Sequence, residues 1–199
     1  MTKKRMAALV MVLTSFLMAC SPSKKEDNFE EYLEGTITAE LFDGEKVAIS
    51  DLLKNDSCFY IYEDVDGDGT DELCLKANSD TYLVKDFGSN LKVIYEGADY
   101  DMPVNTEKYT GMYYCYLGQA PLNERYKFTK FDKNGNVTSS EYASWYDANE
   151  NNTMDEDDWF FLDPEEDNEV DMNKWLESAE GYLEMKNTGV DWQEMKLIK

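Results

Sequence analysis

The chain contains no histidine. That one absence removes Ser-His-Asp triads, Cys-His dyads and histidine-bearing zinc sites together. Basic residues are scarce as well: 19 Lys and Arg stand against 42 Asp and Glu, a formal charge of −23. Between Glu141 and Asp171 there are thirteen acidic residues and no basic one. Such a surface repels phosphate backbones and anionic headgroups, so nucleic acid and electrostatic membrane binding are excluded as partners. It attracts divalent cations weakly and everywhere, as any solvated acidic face does. Internal repeats with a period of 20–50 residues are absent, which excludes a propeller or a solenoid. Long apolar runs are absent too, apart from one at the N-terminus, and that run stops short of the roughly 20 residues a bilayer span needs.

That run follows Lys3, Lys4 and Arg5, extends from Met6 through Ala19, and ends in Leu17-Met18-Ala19-Cys20. The arrangement resembles a bacterial lipoprotein signal with its lipobox, with Met18 where a small residue is more usual. The resemblance implies cleavage before Cys20, lipidation of Cys20, and an acyl anchor in the lipid bilayer on the extracellular face of the cell membrane. Losing the three basic residues of the signal takes the charge from −23 to −26. Residues 21–28 read as a polar tether with nothing to bury. Residues 29–199 are then one extracellular domain, long enough to bury a core without disulfides or metals.

Within that domain the pattern is of short strands separated by turns. Cys58–Glu63 is dense in aromatic and β-branched residues, and Glu72–Ala77 is its expected partner. Phe59 and Ile61 are expected on one face with Leu73, Leu75 and Ala77 opposite them. Tyr82–Lys85, Leu91–Tyr95, Met112–Leu117, Arg125–Phe131 and Val137–Tyr146 read as further strands. Gly88-Ser89-Asn90 and Asn134-Gly135 serve as hairpin turns. Phe29–Leu33 reads as a helical turn, Thr36–Leu41 as a strand before the Asp43-Gly44 turn, and Ala48–Leu53 as a short helix capped by Ser50. Near the C-terminus, Asp171 can cap a helix on which Trp175, Leu176, Ala179, Tyr182 and Leu183 recur at helical spacing. Gly189 ends that segment, and Trp192–Ile198 is expected to return as a strand. The expected fold class is α+β: mainly antiparallel sheet of short strands with the C-terminal helix packed on it.

Three cysteines remain after Cys20, and an odd number leaves at least one thiol unpaired. Cys58 and Cys74 flank an acidic loop and look like a staple. With Glu63 placed opposite Leu73, they lie four residues apart along the strand, about 13 Å at 3.3 Å per residue. That exceeds the roughly 7 Å a disulfide tolerates between Cα atoms, so they are expected to be small buried or half-buried residues.

The loop between them is Asp64-Val-Asp66-Gly-Asp68-Gly69-Thr70-Asp71-Glu72. Side chains at positions one, three and five converge on one point, and a glycine at position six lets the backbone turn. Three or four carboxylates crowded into nine residues repel one another without a counter-ion, which points to a hard cation and, outside the cell, to Ca2+. An EF-hand is excluded: position twelve is Leu75, and strands flank the loop instead of helices. The pattern is similar to the strand-loop-strand calcium loops of integrin-type propeller blades. That resemblance implies a ligand set of Asp64, Asp66, Asp68, the carbonyl of Thr70, and Glu72, with Asp71 outward or holding a water beside the ion. Without a twelfth ligand the affinity expected is about 10⁻⁴–10⁻³ M, which suits a structural clip. The competing reading is a Gly-rich turn whose aspartates are merely solvated. A second, weaker candidate keeps oxygen side chains at Asp147, Asn149, Asn151, Asp155 and Asp158, with Asn152 at a left-handed position. There a solvated acidic loop is the stronger reading.

The run Phe59–Leu73 and the later Tyr126–Asn136 resemble a group of secreted lipoproteins of Gram-positive anaerobes that carry one such loop. The group implies location and calcium, and no activity. The expected function is therefore a non-catalytic binding or accessory lipoprotein, with a surface glycan or an envelope protein as partner. Tyr113, Tyr114, Trp145 and Trp159 are candidates for stacking on sugars, although at strand spacing such residues are more often core. The alternative is a hydrolase using paired carboxylates on glycans, which a cleft holding a raised-pKa acid would support.

Overall fold

The computed structural model describes residues 28–53, 58–77, 79–118, 123–185 and 190–195. Cys20, the signal segment, residues 21–27 of the tether, Gly189 and the end of the last expected strand lie outside the described residues. Chain order is α1 (Asn28–Leu33), β1 (Ala39–Glu40), β2 (Lys46–Val47), α2 (Ile49–Leu53), β3 (Cys58–Glu63), β4 (Glu72–Ala77), β5 (Asp80–Asp86), β6 (Leu91–Ala98), β7 (Asp101–Asn105), β8 (Thr110–Gly118), β9 (Asn123–Phe131), β10 (Val137–Tyr146), β11 (Trp159–Phe161), β12 (Glu169–Val170), α3 (Met172–Met185) and β13 (Gln193–Met195).

The strands form two sheets. One has the order β13-β3-β4-β5-β6-β1-β2 and the other β12-β11-β10-β9-β8-β7. Every pairing is antiparallel except β1 with β6. The chain is thus α+β, mostly antiparallel, with the C-terminal helix on a sheet as its sequence leads one to expect.

Three apolar clusters explain the layering. Phe29 and Tyr32 of α1 and Ile49 and Leu52 of α2 cover one face of the first sheet, over Leu73, Leu75, Tyr82 and Val84. Trp175, Ala179, Tyr182 and Met185, the apolar stripe of α3, cover the second sheet over Tyr113, Tyr126, Phe128 and Phe160. The stripe recurs at three and four residues, so it falls on one side of a 3.6-residue helix. Asp171 caps that helix, its Oδ1 accepting from the Lys174 N–H at 3.0 Å. Between the sheets lies a third cluster, in which Val65, Cys74, Leu83, Ile94 and Tyr95 meet Met112 and Phe131. The interior strand β4 is therefore buried on both faces, which is why its sequence lacks a clean alternation.

Two sequence expectations change here. Glu63 pairs with Glu72, so Ile61 faces Cys74 and Tyr62 faces Leu73, one residue away from the expected register. A slip of one moves every side chain to the other face. Cys58, Tyr60 and Tyr62 join the core beneath α1, while Phe59 is exposed and Ile61 turns toward the second sheet. Cys58 and Cys74 are both buried and free, now because they sit on opposite faces of the sheet. Burial pushes the Cys58 thiol up to about 12, and it is inert at neutral pH. The second change is at α2. Ser50 lies inside the helix, and Asp51 supplies the cap by accepting from the Ala48 N–H at 3.3 Å.

Candidate functional site

Loop 64–71 connects β3 to β4 at the corner where the two sheets meet. Its second residue, Val65, is wholly buried in the inter-sheet cluster, and Gly67 lies beside Thr110 of β8. Backbone N–H groups of the loop point inward at Asp64. Oδ1 of that residue accepts from Gly67 at 2.8 Å and Asp68 at 3.1 Å, and Oδ2 accepts from Gly69 at 2.9 Å. Asp66 Oδ1 accepts from the Asp68 N–H at 3.1 Å, and Asp68 Oδ1 from the Thr70 N–H at 2.8 Å, two successive Asx turns. Left-handed φ angles of +73° at Gly67 and +87° at Gly69 make this ladder possible, and glycine adopts them without a Cβ penalty.

Asp64 thus spends both oxygens on the loop, whereas Asp66 and Asp68 each spend one and have a second to spare. Glu72 does the same, with Oε2 accepting from the Val65 N–H at 3.0 Å. The spare oxygens converge, and at their meeting point sits the ammonium of Lys85. Its Nζ is 2.6 Å from Glu72 Oε1, 2.7 Å from Asp66 Oδ2 and 3.0 Å from Asp68 Oδ2. Asp66 Oδ2 is fully buried and has no other partner among the described residues.

The sequence reading missed Lys85. It comes from β5, where Leu73 pairs with Val84, so Glu72 and Lys85 are next along the same register. The signal was present: a two-residue connection between Ala77 and Asp80 sets that register, and it brings a lysine opposite the ninth residue of the loop.

The electrostatics follow from burial and these pairs. Desolvation alone would lower the Lys85 value, but bonds to Asp66, Glu72 and Asp68 reverse it and hold the ammonium charged, above its ordinary range. Burial pushes Glu72 up to about 7 despite Lys85, because the low-polarity surroundings penalise its anion. For Asp68, burial acts upward but the Lys85 and Thr70 hydrogen bonds win and lower it. With all four carboxylates ionised, one ammonium leaves the cluster at −3, so charge is still uncompensated.

Asp64, Asp66 and Glu72 each bring an oxygen within 4.8 Å of the others, a group that could hold a metal ion. The oxygens that meet at Lys85 form a partly different set, from Asp66, Asp68 and Glu72, and their 2.6–3.0 Å from the ammonium is at most a few tenths longer than calcium–oxygen distances of about 2.3–2.6 Å. Magnesium, at about 2.0–2.1 Å, would demand a larger contraction. Thr70 is exposed, with its N–H closing the turn on Asp68, and Asp71 is exposed.

The second candidate loop, 147–158, joins β10 to β11 and builds the same ladder with other side chains. Asp147 accepts from the Asn151 and Asn152 N–H groups at 3.0 and 2.6 Å. Asn149 Oδ1 accepts from Asn151 at 3.1 Å and Asn151 Oδ1 from Thr153 at 2.7 Å. Positive φ angles recur at positions four and six, +59° at Glu150 and +61° at Asn152. Its centre is closed differently. The Asn149 and Asn151 amides both donate to Asp155, whose carboxyl is lowered by Asn151 first and then by the Asp157 N–H and Asn149. Asp158, buried, accepts from the Ala148 and Asp155 N–H groups, both at 3.0 Å. The five expected residues come together, but as mutual donors and acceptors.

The sugar-stacking candidates divide. Tyr113 and Trp145 are core, Tyr114 is half-buried, and Trp159 is exposed. A more continuous aromatic surface is one the sequence did not single out, where Tyr100 packs edge-on against Tyr114 and Tyr116 at 6.4 and 6.0 Å between ring centres. The carboxyls pushed above their ordinary range, Glu63, Glu72 and Asp101, do so chiefly through burial. None of them lines the surface cavities beside Phe42, Phe160, Tyr126 or Tyr182. Among the described residues no helix is long and apolar enough to cross a membrane. Compared with protein-family models, curated proteins and solved structures, the chain matches none.

Proposed function

We propose that this is a lipid-anchored extracellular protein, tethered through Cys20, in which loop 64–72 takes Ca2+ as a structural clip. Its body is a non-catalytic binding or accessory module. The observation that carries the calcium reading is the convergence of Asp66 Oδ2, Asp68 Oδ2 and Glu72 Oε1 on a single cation-sized point, where three carboxylates face one ammonium. The clip's task would be mechanical. Val65 anchors the loop in the cluster between the sheets, so ordering the loop orders the sheet junction. The Tyr100, Tyr114 and Tyr116 rings offer flat, partly exposed faces to a surface glycan or envelope protein. A carboxylate hydrolase gains no support from Glu63, Glu72 or Asp101, the raised acids among the described residues, because they do not line the cavities beside Phe42, Phe160, Tyr126 or Tyr182. Loop 147–158 is the weaker metal candidate, because its amide donors already satisfy Asp155.

Thermal unfolding with millimolar calcium and with chelator tests the clip. The reading expects calcium to raise the melting temperature of the wild type and to leave Asp66→Ala unchanged. An identical wild-type melt under both conditions removes it.

A further inference from the structure

Lys85 stands where the metal would stand. Its Nζ lies 2.6–3.0 Å from the three oxygens that converge in the loop, and a calcium ion bound to those oxygens would lie about 2.3–2.6 Å from each. Two centres so placed overlap, so the two cations exclude each other. We infer that Lys85 is a built-in rival of the metal, its ammonium vacating the Asp66–Asp68–Glu72 cage when a divalent cation enters and refilling it when the cation leaves. This rests on the calcium reading of the same loop and adds to it what sets the affinity.

The geometry makes the competition strong. Lys85 is on a paired strand directly beside Glu72, so its ammonium is tethered at the cage and its competition does not fall with dilution. The lysine side chain is 6% exposed and the Asp66 side chain 0%, so their attraction is little screened by solvent. Every calcium ion that binds must first undo these contacts, and the apparent affinity falls by the fraction of molecules with the cage closed. Conversely, without metal the loop is not left as four bare carboxylates. The protein keeps its fold at low calcium, which a loop lacking Lys85 could not do as readily. Among the described residues loop 147–158 pairs with no lysine in an equivalent place and meets Asp155 with amide hydrogen bonds instead, so the rivalry is specific to the first loop.

The experiment is a calorimetric calcium titration of the full-length protein, wild type against Lys85→Met, with melting in chelator measured on both. Lys85→Met should bind calcium at least about tenfold more tightly, the factor that about 1.4 kcal/mol supplies. Its melting temperature should fall in chelator and recover with calcium. Equal affinities in the two proteins overturn the rivalry while leaving the calcium reading intact. Absence of binding in both at about 10 mM calcium, beyond the range of extracellular modules, overturns the two together. If Lys85→Met does not fold, the wild type answers alone through the ¹H–¹⁵N signal of the Lys85 ammonium. Loss of its protection as calcium saturates supports displacement, and an unchanged signal at saturation overturns it.

Discussion

Loops 64–72 and 147–158 are two solutions to one problem. Both join antiparallel strands, both hang backbone N–H groups on an aspartate at position one, and both build Asx turns from positions three and five. Both place left-handed residues at positions four and six. They differ in what meets the carboxylates at the centre. The first gathers carboxylates around a buried ammonium, and the second replaces two of them by asparagines whose own amides fill the gap. Backbone geometry is therefore set by side-chain oxygens accepting from N–H groups, whatever their charge. What the centre can hold is set by the charge alone.

The largest expected break of this comparison is Lys85→Met in the absence of metal. It leaves Asp66 and Glu72 buried without a counter-charge, a loss of about 3–5 kcal/mol when one partner of a buried pair is removed. Urea unfolding in chelator reads it. No single neutral substitution in loop 147–158 should cost as much.

Next comes the response to pH, which should run in opposite senses for the two loops. Glu72 holds its proton up to about 7 in the folded chain against 4.5 ordinarily. From about 4.5 to 7 the unfolded chain has released a proton that the folded chain keeps, so stability falls as pH rises across that window. Asp155 is shifted downward, so its contribution is present above the ordinary aspartate value and disappears as pH falls through the lowered one. Unfolding free energies across pH should lose the first slope in Glu72→Gln and the second in Asn151→Ala.

Asp158→Ala should cost about 1–3 kcal/mol, because it strips acceptors from the Ala148 and Asp155 N–H groups, and equilibrium unfolding should show it with and without calcium alike. Smallest are the backbone swaps. Gly69→Ala, at φ +87° with open space around the new Cβ, should cost about 1–2 kcal/mol. Glu150→Gly relieves the corresponding strain in the other loop, and its melting temperature should change little or rise.

Much of the first loop was legible in the sequence because its spacing carries the chemistry: alternate aspartates can do little else but bond the chain ahead and leave oxygens over. The strands β3 and β10 were legible to the residue for their aromatic and β-branched content, and β4 as the partner of β3 beyond the loop. Register was not. Tyr60 and Tyr62 pack beneath α1 while Ile61 packs toward the second sheet and Phe59 is exposed, and an unbroken apolar or aromatic run says nothing about which side faces in. The strand β7 was hidden by Pro103 and its flanking polar residues. It survives as the edge of its sheet, where a missing N–H harms no ladder. Lys85 was hidden for the same reason as the register: its role exists only once β4 and β5 are aligned.

The most direct test is a crystal structure of the protein grown in millimolar calcium. The account predicts an ion about 2.3–2.6 Å from the inward oxygens of Asp66, Asp68 and Glu72, with the Lys85 ammonium withdrawn from the cage. Lys85 still bridging those three carboxylates, with no ion between them, would contradict it.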